Sequence, residues 1–100
     1  MKITKNETDD VIEVFLSGRL DKISAPELDT DMQAEVAKKK DMIFNFKDLN
    51  YISSAGLRVL LATEKAAKAN GKKTKIINVN PDVMDIFNVT GFVYMLDIQK

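Results

Sequence analysis

The tightest constraint on this chain is the order of signals between residues 11 and 46. Val11-Ile12-Glu13-Val14-Phe15-Leu16 is β-branched and apolar and reads as a strand. Ser24-Ala25-Pro26-Glu27 then joins a capping-box pattern to a proline in the first turn of a helix. Behind it, Leu28, Met32 and Val36 recur every four residues, a stripe for burial. Met42-Ile43-Phe44-Asn45-Phe46 returns to strand character. Strand, helix and strand at this spacing make a βαβ unit, which places the chain among layered α/β domains.

The remaining segments extend that unit. Lys2 to Lys5 is a short strand that pairs with the first across the polar turn Glu7 to Asp10, and Gly18-Arg19-Leu20-Asp21 closes the strand that follows. Ile23 and Leu28 flank the helix start as a hydrophobic staple, and Lys38-Lys39-Lys40 ends the helix where positive charge suits its dipole. Asp48 to Ile52 carries the chain to Ser53-Ser54-Ala55-Gly56. A second helix, Leu57 to Ala69, follows and is stopped by Asn70-Gly71. Lys72 to Val79 supplies a further strand, and Asn80-Pro81 starts a third helix with Val83, Ile86 and Phe87 on its apolar face. After Thr90-Gly91, Phe92 to Ile98 is expected to form a last short strand. The expected fold is therefore a four- to five-stranded mixed sheet with helices packed against it, one domain over residues 1–100.

Composition removes whole classes of chemistry. The 100 residues carry 15 Lys plus Arg against 15 Asp plus Glu. Such a surface lacks the positive field that holds nucleic acid, although the first half leans acidic and the second basic. There is no cysteine and no histidine. That leaves no disulfide, no thiolate, and neither the commonest metal ligand nor the commonest general base. No cofactor or metal is expected. The N-terminus has no apolar core of a signal peptide, and no run approaches the roughly 18–20 apolar residues that span a bilayer, so the cytoplasm is the expected compartment.

The chemistry worth weighing sits at Ser53-Ser54-Ala55-Gly56, where a loop meets a helix. A serine there caps the unpaired N–H groups of the first turn, but only one of two serines can be the N-cap. The other is free for an anion or for a covalent phosphate at the positive end of the helix. Gly56, lacking a Cβ, lets another surface approach the backbone. On a helical wheel, Val59, Leu60, Ala62, Thr63, Ala66 and Ala67 form a small apolar arc suited to packing on a sheet. Leu57 and Leu61 fall on the charged side with Arg58, Glu64, Lys65 and Lys68. Two readings stay open: the leucines anchor a partner that Arg58 and Lys65 orient, or they tuck under a neighbouring element. Asp21 and Asp48, each after a strand, either approach the serines or cap their own turns. With no histidine, no Ser-x-x-Lys and no Gly-x-Ser-x-Gly, a serine hydrolase is disfavoured.

Three motifs in order resemble one family. Gly18-Arg19-Leu20-Asp21 resembles its Gly-x-Leu-Asp after the second strand. Phe46-Lys47-Asp48-Leu49-Asn50-Tyr51-Ile52-Ser53-Ser54-Ala55-Gly56-Leu57 resembles its signature loop, and Thr90-Gly91-Phe92 its Thr-Gly-Phe. The chain resembles a stand-alone STAS domain, specifically a bacterial anti-sigma factor antagonist, over nearly its whole length. The resemblance implies a non-enzymatic switch, a monomer or weak dimer. Unphosphorylated, it binds an anti-sigma factor that is also a serine kinase of the histidine-kinase ATPase type, and so frees the sigma factor. A metal-dependent serine phosphatase reverses the kinase. The family's phospho-acceptor falls on Ser54, with Ser53 as the alternative, and the binding surface on Asp21, Ser53, Ser54, Ala55, Gly56, Leu57, Arg58, Leu61 and Lys65. The sequence departs from the family at Ser53, often aspartate, at Ala55, often serine or threonine, and at Arg58, often small. A STAS scaffold in another partner-switching pathway, one regulating a phosphatase or other signalling enzyme, is the alternative implied.

Overall fold

The computed structural model describes residues 1–99. In chain order it contains β1 (Lys2–Glu7), β2 (Val11–Leu20), α1 (Ala25–Val36), β3 (Asp41–Ile52), α2 (Ser54–Ala69), β4 (Thr74–Ile77) and α3 (Pro81–Thr90). The expected βαβ unit is present: β2 and β3 are parallel, with α1 crossing between them. β1 pairs antiparallel with β2, and β4 parallel with β3, giving the order β1-β2-β3-β4. Among the described residues no helix is long and apolar enough to cross a membrane.

Alternation along the strands decides which face carries the core. Ile12, Val14 and Leu16 on β2, with Met42, Phe44 and Phe46 on β3, are buried, whereas their neighbours Val11, Glu13, Phe15 and Ile43 are only half-buried. The helices bring Leu28 and Met32, Leu57 and Leu60, and Val83 and Phe87 onto that buried face. Phe46 stacks on Phe87 with ring centroids 6.4 Å apart, and Phe44 meets Phe46 edge-on at 6.3 Å. β3 is longer than β2, and the pairing shifts between Phe15 and Ser17 and again between Gly18 and Arg19. The extra residues let Phe46, Leu49 and Ile52 all reach the core and bring Leu20 level with Ile52.

Three expectations need correction. Ser24 does not cap α1: its backbone is already helical and its side chain makes no cap bond. The chain turns one step earlier, at Asp21, whose Oδ1 accepts from the backbone N–H groups of Ile23 (3.0 Å) and Ser24 (3.1 Å). The Ser24 hydroxyl is drawn back into that turn, donating to Arg19 O and accepting from Asp21 N. Ile23 is 88% exposed, so there is no staple to Leu28. The last segment is not a strand. Gly91, with φ of 78°, caps α3 in the left-handed region, and the chain continues as a 3-10 turn, Phe92–Tyr94. This folds Leu96 into the core, and among the described residues only a single parallel bridge, Ile98 to Ile76, reaches the sheet, which there has four strands.

The lysine triplet lies beyond the end of α1 and fastens it to the hairpin. Lys38 and Lys40 reach the two oxygens of Glu7 at 2.8 and 2.7 Å, while Lys5 and Lys38 pair with Glu35, which is 4% exposed. Hydrogen bonds from Lys38 and then Lys40 lower the Glu7 carboxyl from 4.5 to about 2. A folded-state value below the unfolded one means that this contribution is complete above pH 4.5 and is lost as pH falls through about 2. The stability of wild type should therefore exceed that of Glu7→Gln at neutral pH, and the gap should close between pH 4.5 and 2 in denaturant titrations. A gap independent of pH would contradict the clamp.

Candidate functional site

The level ends of β2 and β3 bring two short segments side by side. Leu20 and Ile52 are paired across the strands, and Ser53 N donates to Leu20 O at 2.9 Å. The turn that starts at Asp21 therefore lies next to the start of α2. The helix begins there because Ser53 is extended (φ −100°, ψ 173°) and its hydroxyl oxygen accepts from Gly56 N at 3.4 Å, while its carbonyl accepts from Leu57 N at 2.9 Å. The two serines thus divide the work. Ser53 is the cap; Ser54 is the first helical residue, exposed, and its hydroxyl takes no part in the cap.

Gly56 acts inward. A Cβ at this position would lie 2.6 Å from Leu20 Cγ and 3.1 Å from Ile52 Cγ1, so the helix rests its backbone directly on the strand ends. This corrects its place on an outer binding surface. Leu57 is corrected likewise: it is 1% exposed and belongs to the core, and Leu61 is half-buried against it. The buried side of α2 is Gly56, Leu57, Val59, Leu60, Thr63 and Ala67, while Ala62 and Ala66 are exposed. The physical reason is size. Burying leucine removes more apolar surface from water than burying alanine, so the helix rotates to seat its leucines.

What remains outside is Ser54, Arg58 and, further along, Lys65, with Ala55 half-buried. Ala55, Arg58 and Val59 face Lys22, Ala25 and Pro26 across a shallow groove between the starts of α1 and α2. Asp21 borders the same region, but its carboxylate is engaged. The N–H of Ser24 first, then the N–H of Ile23, the Ser24 hydroxyl and the charge of Arg19 hold it below the usual carboxylate range. Arg19 lies with its guanidinium 4.2 Å from the centre of the Tyr51 ring. Asp48 does not join the site. The shift in β3 places it beside Ser17, where it lines an outer groove with Lys2, Phe15 and Lys47. Among the described residues no group of three carboxylate, histidine or cysteine side chains is placed to hold a metal. Sequence reasoning missed Ile23 as an exposed side chain; the signal available was Asp21 two residues earlier, a residue that turns the backbone through its own side chain.

These contacts separate the serines and the glycine by measurement. Ser53→Ala removes the cap and should cost about 1 kcal/mol. Ser54→Ala should stay within about 0.5 kcal/mol of wild type. Gly56→Ala forces a methyl into Leu20 and should cost about 1–3 kcal/mol. Urea midpoints check all three; equal costs for the two serines would contradict the division between them.

Comparison with known proteins agrees with this fold. A model of the STAS domain family matches residues 2–100. The anti-sigma-B factor antagonist of Bacillus subtilis is 31% identical over 96 residues, covering 96% of this chain and 86% of that protein. The crystal structure of an anti-sigma factor antagonist from Mycobacterium paratuberculosis superposes with a TM-score of 0.86 at 21% identity, over 97% of this chain and 83% of that one. The Bacillus cell fate determinant SpoIIAA in its phosphorylated form superposes with a TM-score of 0.75 at 18% identity, over 99% and 92% of the two chains. The chain belongs to the STAS domain family, among its anti-sigma factor antagonists.

Proposed function

We propose that this antagonist is a phosphorylation-controlled binding switch whose acceptor is Ser54. Its general role, a partner-switching regulator rather than an enzyme, is that of its family. In the proposed cycle the unphosphorylated chain presents the start of α2 and the neighbouring Asp21 turn to an anti-sigma factor. That partner is also a serine kinase of the histidine-kinase ATPase type. Binding withdraws it from the sigma factor. Phosphate on Ser54 ends the complex, and a metal-dependent serine phosphatase restores it.

The observation that carries this reading is the division between the serines: the Ser53 oxygen accepts from Gly56 N, leaving Ser54 exposed at the first helical position. A phosphate there brings about −1.5 to −2 charge to the positive end of a helix, where an anion is favourable. Arg58 lies one turn on along the same exposed surface, at the spacing that suits an ion pair. Neither the helix nor the core has to move. The cost falls on association, because an interface shaped around a neutral hydroxyl must desolvate or repel a dianion. A phosphorylated form is known for the similar Bacillus protein.

Ser54→Ala should retain binding to the cognate kinase and lose phosphate uptake, while Ser54→Asp should weaken binding about tenfold or more. Titration calorimetry and phosphate incorporation with the purified partner check both. Equal phosphate uptake by wild type and Ser54→Ala would overturn the assignment.

A further inference from the structure

The groove beside Ser54 does not end there but follows the seam between α1 and α2. The two helices lie side by side and run in the same direction. Their starts face each other at Ala25 and Val59, and at their ends Asn70 Nδ2 donates to Val36 O at 3.2 Å. Side chains normally interdigitate along such a seam. Here α2, rotated to bury its leucines, turns Ala55, Ala62 and Ala66 to that side, and the seam stays open. The groove between the helix starts reaches Asp29. Asp29 also borders a second groove, in which Met32, Gln33 and Val36 face Ala62, Thr63 and Ala66. From Ala55 to Ala66 the two make one channel about 16 Å long, at about 1.5 Å per helical residue. Its floor is apolar, because the Thr63 hydroxyl is spent on Val59 O at 2.8 Å inside α2.

We infer that this channel holds an amphipathic helix of the kinase that docks at Ser54, a placement that rests on the Ser54 switch. The buried face of that helix is aliphatic, and its side toward α2 carries carboxylates. Continuity identifies the occupant: Ala55 and Arg58, at the docking surface, also line the channel at its open end. The walls decide its conformation. Both are helices whose backbone groups are bonded within themselves, so an extended segment lying between them leaves its own N–H and C=O groups without partners, whereas a helix satisfies them internally. The rims decide its charge. Arg58 and Lys65 stand seven residues apart on the exposed side of α2, and Lys22 faces Arg58 across the mouth. Asp29 lies on the α1 side. Among the described residues none of these four has an ion-pair partner within the chain. Carboxylates opposite the three cations and a cation opposite Asp29 complete the match.

Titration calorimetry with the kinase that transfers phosphate to the wild-type chain tests the channel. Ala62→Trp fills it from a position exposed in the free chain and should weaken binding at least about tenfold. Asp29→Lys reverses the sign of the α1 side and should also weaken binding about tenfold. Ala34→Trp, exposed on α1 but outside the channel, should bind as wild type. Urea midpoints close to wild type confirm that folded chains are compared. Ala66→benzoylphenylalanine should photo-crosslink to one helical segment of the kinase. Unchanged affinity of either Ala62→Trp or Asp29→Lys, or a crosslink to a second copy of this chain in place of the kinase, would overturn the inference. If Ser54→Asp still weakens binding in that case, the switch stands without the channel; if Ser54→Asp also binds as wild type, both fall.

Discussion

The close approach of Gly56 to Leu20 and Ile52 is the contact on which the rest of the site depends. Two parallel strands end level, joined through Ser53 N to Leu20 O, and the following helix begins with its backbone almost touching their side chains. No other residue type leaves room for this. Everything outward of the contact is fixed by it: Leu57 is driven into the core, Ser53 is held extended to cap, and Ser54 is left as the first residue of the helix facing solvent. A rigid, well-packed base carrying one free hydroxyl suits a switch that acts by charge, since the added group meets a helix that has no need to rearrange.

In the proposed switch the helix N-terminus sets the direction. Its dipole and unpaired N–H groups favour an anion, so modification at Ser54 is compatible with the folded state, and its effect is exported to whatever docks there. The Asp21 turn beside it is likewise held by its own hydrogen bonds. Its carboxylate is spent on the backbone of Ile23 and Ser24, and it holds Ile23 out into water next to the basic Arg19 and Lys22. An exposed aliphatic side chain on a hydrogen-bonded turn, near the start of α2, is the arrangement expected of the proposed docking surface.

Much of this was legible in the sequence, and what was not has identifiable causes. The βαβ unit was legible because apolar runs and helix signals agree from Val11 to Phe46. The cap at Asn80 was legible because asparagine before proline has few other uses, and its side chain does accept from Val83 N at 2.9 Å. The start of α1 was misread because Ser24 and Glu27 match a capping pattern, while Asp21, outside that window, turns the chain first. The orientation of α2 was misread because a wheel weighs alanine and leucine alike as apolar, whereas packing favours the larger side chain. The last strand was misread because the apolar run after Gly91 reads the same whether it extends or folds under α3; the left-handed cap at Gly91 decides for the second. Asp48 escaped because an irregularity inside β3 cannot be seen in a list of residues. The family motifs survive these errors, since they depend on residue order and not on which face each residue takes.

The central claim is that one serine caps and the other receives phosphate. The most direct measurement is tandem mass spectrometry of the protein phosphorylated by its cognate kinase, fragmented between residues 53 and 54, with amide exchange at Gly56 read on the same sample. The account predicts phosphate on Ser54 alone and a Gly56 amide as protected as before, because the Ser53 oxygen still accepts from it. Phosphate on Ser53, or loss of protection at Gly56, would contradict it.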